Sequence, residues 1–138
     1  EARRLDRWRK IAKEAAEQSH RSIVPEVRPV CDWKSLLQQI KAYDLVLFCY
    51  EEEGRSGKGL RQVLEEFRAG RRPEEAPNIM LVIGPEGGFE PSECDQAAAC
   101  GAVPAGLGNR ILRTETAALY ALACLAYESG EMGEKKRA

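Results

Sequence analysis

The most informative segment of the chain is Ile79-Met80-Leu81-Val82-Ile83-Gly84-Pro85-Glu86-Gly87-Gly88-Phe89. Its five leading apolar residues predict a strand that is covered on both faces of a sheet. The glycine-rich turn that follows carries one carboxylate and leads into a helix predicted from Pro91 to about Cys100. A second apolar run, residues 45–50, predicts another buried strand, and a helix predicted over about 60–69 separates the two.

The remaining segments extend the same alternation of strands and helices. Helices are predicted over 5–18, from a cap at Asp32 to about Ile40, and from Thr114 to about Glu128. Residues 102–105 predict a short strand. Residues 23–30, which include two prolines, predict a loop that leads into another short strand. Such alternation is typical of an α/β fold, with a mostly parallel sheet flanked by helices.

Composition limits the classes of protein to which the chain can belong. With 138 residues, 43% of them hydrophobic and 31% charged, the chain predicts one compact domain over 1–138 that ends in a charged tail, 129–138. No apolar run approaches the roughly 20 residues of a membrane span, so we expect no membrane association. Five cysteines without a CxxC pair and one histidine predict no metal site and fit thiols that pack in a reducing compartment.

Charge gives little guidance on partners. The net charge of −1 is not that of a typical nucleic-acid-binding domain. Basic residues are nevertheless concentrated in the first thirteen positions. This pattern fits either a solvated helix face or a surface that contacts phosphates.

A second segment combines a flexible turn with a dense polar group: Gly106-Leu107-Gly108-Asn109-Arg110-Ile111-Leu112-Arg113-Thr114-Glu115-Thr116-Ala117. Thr114 or Thr116 can cap the helix that begins here, and Glu115 is favoured at its positive end. Helix capping leaves the two arginines unexplained. Arginines near a helix start favour recognition of an anion or of a planar, carbonyl-bearing group.

Residues 84–89 match neither GxGxxG nor GxxxxGKS, so a dinucleotide or triphosphate site is not supported. By spacing alone, a plain turn from strand to helix is as good an interpretation as a ligand loop. Ligands of open α/β sheets bind beyond the carboxyl ends of the strands, where both glycine-rich turns fall.

The segments GPEGGF and LGNRILRTETA, together with AEQSHR at 16–21, resemble the ribosomal RNA small subunit methyltransferase E family of the SPOUT superfamily. The resemblance covers about residues 7–127, and the RTETA ending is its most specific part. It implies an α/β fold with a C-terminal deep trefoil knot, a feature that composition or periodicity could not suggest. It also implies an N-terminal RNA-binding β-barrel that is expected to be absent from this chain.

The resemblance implies an enzyme that uses S-adenosyl-L-methionine to methylate N3 of a uridine in small-subunit ribosomal RNA. The residues implied to hold the cofactor are Ile83, Gly84, Pro85, Glu86, Gly87, Gly88, Leu107, Gly108, Ile111, Leu112, Thr114, Thr116 and Ala117. Arg21 and Arg113 are implied to stabilise negative charge on the uracil carbonyls, with Glu115 as the base. Arg21 as a helix-end salt bridge and Glu115 as a helix-dipole cap are the structural alternatives.

Two rival functions stay open: a SPOUT methyltransferase with another RNA target, and a non-catalytic RNA-binding or ribosome-assembly factor. The resemblance further implies a homodimer, located in the cytoplasm or, in a eukaryotic host, in an organelle stroma or matrix. The helix predicted over 114–128 is apolar nearly all round, which also favours a two-fold contact. The alternative is that the knot absorbs its extra apolar face.

Overall fold

The computed structural model describes residues 1–52, 57–72 and 75–133. Parts of the predicted connections at 51–59 and 70–77, and of the tail 129–138, therefore lie outside the described residues. The chain divides into two compact units, Glu1–Trp33 and Lys34–Ala138. The single domain predicted over 1–138 stays a prediction.

The first unit contains helix α1 (Ala2–Gln18), three residues longer at its start than predicted. The helix ends because His20 adopts the left-handed conformation, with φ of +59°. The N–H groups of His20 and Arg21 then donate to the carbonyls of Glu17 and Ala16, which is the Schellman arrangement. The prediction of a short strand after the loop at 23–30 is wrong, because residues 21–32 contain no strand. Pro25 and Pro29 lack the N–H groups that pairing requires.

The second unit is built on a parallel sheet. Its strands are β1 (Leu45–Cys49), β2 (Ile79–Ile83) and β3 (Val103–Ala105), in the order β2-β1-β3. Leu47 of β1 pairs with Leu81 on one side and with Val103 on the other. The α/β class with a parallel sheet flanked by helices is thus confirmed.

Helices alternate with these strands as predicted, to within one residue at their ends. They are α2 (Trp33–Ile40), α3 (Leu60–Ala69), α4 (Pro91–Ala99) and α5 (Thr114–Glu128). The carboxylate of Glu93 accepts a hydrogen bond from the N–H of Glu90 at 2.8 Å, which fixes the start of α4. Gly101, with φ of +105°, closes that helix.

The core lies against the central strand. Leu45 and Leu47 pack with Leu60, Val63 and Leu64 of α3 on one face of the sheet. Phe48, which by alternation points to the opposite face, is also fully buried. The strand predicted over 79–83 is less buried than expected. It forms an edge of the described sheet, and only Val82 is buried.

Helix α5 buries one stripe and exposes another. Ala117 and Ala121 are buried, whereas Leu119, Leu122 and Tyr127 are 71%, 56% and 70% exposed. Tyr120 is exposed as well, at 47%, and Leu122 and Tyr127 follow Leu119 by three and eight positions, so the exposed apolar residues lie on one broad side of the helix. Within the described part of the chain, no segment covers this face, and the interpretation that the fold itself absorbs it is not supported.

Candidate functional site

A cavity of about 690 Å³ lies at the carboxyl ends of β1 and β2. This volume is within the range of pockets that hold small organic ligands. Its walls come from the end of β1, from residues 83–91 and from residues 107–117. The two glycine-rich segments, which are separate in the sequence, therefore face the same space.

The 84–89 turn packs on the sheet through Phe89. An ideal Cβ built on Gly84 would lie 3.1 Å from the ring of Phe89, so a larger residue would require that ring to shift by a few tenths of an ångström. Phe89 in turn stacks on the buried Phe48, with ring centroids 4.0 Å apart. The N–H of Gly88 donates to the carbonyl of Pro85 at 2.9 Å and closes the turn. Because Phe48 belongs to the central strand, the sheet itself supports this turn.

The 106–113 turn is anchored at one end and open at the other. Gly106 exchanges backbone hydrogen bonds with the segment before α3: its N–H donates to Lys58 and its carbonyl accepts from Leu60. Farther along, Gly108 has φ of +110° and Ile111 is 71% exposed. The side chains of Arg110 and Arg113 are exposed and form no ion pair with a described residue. Their guanidinium groups are available to an anion or a carbonyl.

Thr114 does not cap α5, and neither does Thr116. The N-cap position is occupied by Arg113, without a side-chain cap hydrogen bond. The hydroxyl of Thr114 donates instead to the carbonyl oxygen of Gly84, 3.1 Å away. The prediction of a threonine cap is wrong because the half-buried hydroxyl finds this acceptor in the other turn.

Two titratable groups at the end of β1 stay protonated at neutral pH. Burial raises the pKa of the Cys49 thiol to about 11. Partial burial, followed by the negative charges of Cys94, Glu52, Asp95 and Glu90, raises the pKa of the Tyr50 phenol. Neither group is therefore a base at neutral pH, and the phenol can donate a hydrogen bond into the cavity.

Most of the residues predicted for the site do line this cavity. The predicted cofactor residues in its walls are Ile83, Gly84, Pro85, Glu86, Gly87, Gly88, Leu107, Gly108, Ile111, Leu112, Thr114 and Ala117. Arg113 and Glu115 line it as well, whereas Thr116 is exposed on α5 and does not. Arg21 belongs to the first unit, where its side chain is exposed and forms no ion pair with a described residue. The salt-bridge interpretation of Arg21 thus finds no support among the described residues.

Sequence reasoning missed the wall supplied by β1. The lining residues outside the two predicted segments are Cys49, Tyr50, Glu51, Glu52 and Pro91, whereas Phe89 and Arg110 line the cavity within those segments but were not assigned to the cofactor. The rule that ligands bind at the carboxyl ends of parallel strands pointed to the residues after β1. The residues after β1 carry no recognisable motif, whereas the glycine-rich turns do, so the sequence singled out only the turns.

Among the described residues, no group of three or more histidine, cysteine, aspartate and glutamate side chains comes together to hold a metal ion. In the same part of the chain, no helix is both long enough and apolar enough to cross a membrane.

Comparison with known proteins identifies the family. A model described as the RNA methyltransferase domain matches residues 1–126. The chain belongs to this family. It is 39% identical over 129 residues to ribosomal RNA small subunit methyltransferase E of Bacillus subtilis, a match that covers 92% of this chain and 48% of the relative. The resemblance drawn from the two motifs is therefore confirmed.

Solved structures of similar proteins agree with this family membership. One is a ribosomal RNA small subunit methyltransferase E from Neisseria gonorrhoeae bound to S-adenosyl methionine, with a TM-score of 0.72 and 32% identity over 92% of this chain and 48% of that one. Another, from Legionella pneumophila, was solved in complex with the bound cofactor SAM, with a TM-score of 0.76 and 31% identity over 92% and 47% of the two chains. The chain spans about half the length of these relatives.

Proposed function

We propose that the cavity binds S-adenosyl-L-methionine and that the protein methylates N3 of a uridine in small-subunit ribosomal RNA. The observation that carries this proposal is the meeting of both family motifs in one cavity of about 690 Å³. Two similar structures, from Neisseria gonorrhoeae and Legionella pneumophila, contain this cofactor.

The cavity walls fit such a ligand. A Cβ added at Gly87, Gly88 or Gly108 would meet nothing within 4 Å, so the backbone at these positions is open to a close approach. Leu107, Ile111 and Leu112 offer apolar contact to an adenine ring, and backbone groups of the two turns offer polar contacts. Thr116 is the least supported of the implied cofactor residues, since it does not line the cavity.

The reaction needs positioning and charge stabilisation more than a strong base. The chemistry that S-adenosyl-L-methionine supplies is an electrophilic methyl group, which exchanges its bond to sulfur for a bond to N3 of the uracil as N3 loses its proton. Arg113 would stabilise the negative charge that develops on the uracil carbonyls. Glu115, which lies in the cavity wall, would accept the proton. Arg21 would add a second positive charge.

Binding can be tested separately from catalysis. A hundredfold excess of S-adenosyl-L-methionine over its dissociation constant should stabilise the chain by about 2.7 kcal/mol. This increase in the free energy of unfolding should raise the melting temperature by about 10 °C for a chain of this length. A melting temperature unmoved by millimolar cofactor would contradict the assignment.

The RNA target requires a different measurement. Mass mapping of methylated nucleosides in small-subunit ribosomal RNA, with and without the active gene, should show loss of one N3-methyluridine. Loss of a different methylated nucleoside would favour another RNA target. Binding of RNA without any methyl transfer would favour an assembly factor. We place the protein in the cytoplasm, where ribosomal RNA is modified, or in the corresponding compartment of an organelle.

We further propose a homodimer and a C-terminal knot like those of the SPOUT superfamily. Support for the dimer comes from α5, whose exposed Leu119, Leu122 and Tyr127 form an apolar face. A two-fold contact through this face would remove it from water, and the resemblance to the SPOUT superfamily supports a role for Arg21 at the partner's site.

Sedimentation at micromolar concentration tests this assembly. The wild-type chain should sediment as a dimer, and Leu122→Glu should dissociate it because a carboxylate would be buried in the contact. Arg61→Glu on α3, at a solvated position 86% exposed, is a matched control that should leave the dimer intact. A wild-type monomer that still transfers methyl groups would contradict the dimer and the role of Arg21 across it.

A further inference from the structure

Gly84 is held on two sides by residues from different parts of the chain. Its carbonyl oxygen accepts the hydroxyl hydrogen of Thr114 at 3.1 Å, a contact between residues thirty positions apart. Its Cα lies against the ring of Phe89, where a Cβ would come within 3.1 Å. Phe89 rests on Phe48, which is 1% exposed in the central strand. The start of the 84–89 turn is therefore fixed between α5 and the sheet.

The Thr114 contact joins the two walls of the cavity. Thr114 is the first residue of α5, directly after the 106–113 turn, and Gly84 is the first residue of the other turn. Both residues line the cavity. A threonine hydroxyl has a single hydrogen to donate, and here the protein backbone receives it. The bond thus sets the distance between the turns before any ligand enters.

We propose that Thr114 is a positioning residue, which acts on the cofactor through Gly84 by holding the two turns at their binding distance. This inference rests on the proposed function, since it takes the cavity as the site of S-adenosyl-L-methionine. A turn that is already ordered loses less conformational entropy when the ligand binds. The hydroxyl of Thr114 therefore contributes to affinity without donating to the cofactor.

The substitution Thr114→Val tests this role, because valine keeps the shape of threonine and removes the hydroxyl. Loss of one neutral hydrogen bond should weaken the binding of S-adenosyl-L-methionine by about 5- to 10-fold in calorimetric titration. Thr114→Ser keeps a hydroxyl at the same place and should bind within about 2-fold of the wild-type chain. Equal affinity in the wild type and Thr114→Val would overturn the inference.

Amide hydrogen exchange without ligand separates positioning from direct contact. In Thr114→Val the amide of Gly88, which donates to the carbonyl of Pro85, should exchange faster than in the wild type, whereas the amides of β1 should not change. Weaker binding with unchanged exchange in the turn would make Thr114 a direct cofactor contact, and faster exchange throughout β1 would make its role structural. Either result overturns the proposal. A wild-type chain that binds no cofactor refutes the proposed function instead, and the exchange measurement then still decides whether Thr114 orders the turn.

Discussion

The two turns that form the cavity are built in opposite ways. The 84–89 turn rests on Phe89 and the sheet, and Thr114 holds its first carbonyl. The 106–113 turn is anchored near its start, where Gly106 forms backbone hydrogen bonds and Leu107 packs against the core, and farther along Arg110, Ile111 and Arg113 are exposed, Ile111 to 71%. The 84–89 wall of the site is therefore ordered before a ligand binds, whereas the 106–113 wall exposes side chains to an incoming substrate. A preformed wall suits a cofactor, and exposed arginines suit a nucleic-acid substrate.

The largest expected effect comes from the open turn. Arg113→Ala should lower the rate of methyl transfer to unmodified small-subunit ribosomal RNA by about 100- to 1000-fold, because it removes a donor to the developing charge. The affinity for S-adenosyl-L-methionine should change much less. Arg110→Ala, on an exposed neighbour in the same turn, is the matched control and should cost the rate about 10-fold or less. If cofactor affinity falls as much as the rate does, Arg113 belongs to the cofactor site.

The preformed turn is tested by Gly87→Val. A side chain here enters the open space beside the backbone, since a Cβ at Gly87 would meet no protein atom within 4 Å. The variant should lose the ligand-induced stabilisation of about 2.7 kcal/mol while the chain without ligand melts as before. Gly87→Ala should give an intermediate loss. A full ligand-induced shift in Gly87→Val would show that the cofactor does not approach this part of the turn.

Gly84→Ala should reveal the packing beneath the preformed turn. The added methyl group would lie 3.1 Å from the ring of Phe89, and such overpacking lowers the free energy of unfolding by about 1–3 kcal/mol. In a Phe89→Leu background the same change should cost less, because leucine leaves the space that the ring filled. A double-mutant cycle in urea measures this coupling. Additive costs would mean that Phe89 does not confine Gly84.

Gly108→Ala should have the smallest effect of the four, for a different physical reason. No atom lies within 4 Å of an added Cβ, but φ is +110°, so the cost of about 1–2 kcal/mol is one of backbone conformation alone. Phe89→Leu should not reduce this loss of stability. Chemical denaturation of the same set of variants checks this, and relief by Phe89→Leu would show that the two turns are packed as one unit.

The sequence determined the elements of the second unit nearly to the residue. Apolar runs at 45–50 and 79–83 became β1 and β2, and the helices over 60–69 and 114–128 have the predicted bounds. These signals are local, because hydrophobic periodicity and glycine or proline at the ends act within one segment. Both turns that form the cavity were recognisable from their motifs, and the family that these motifs imply is confirmed by the comparisons.

Contacts between distant segments were decided only by the tertiary structure. The sequence predicted that Thr114 or Thr116 caps the last helix, yet the hydroxyl of Thr114 donates to Gly84 in the other turn. Local pattern also could not reveal that the ring of Phe89 packs closely against Gly84, or that Cys49 and Tyr50 complete the cavity. The sequence by itself therefore determined which segments are strands, helices and turns, because those preferences depend on near neighbours. The fold decided which side chains meet, because packing and hydrogen bonding between segments depend on how the chain brings them together.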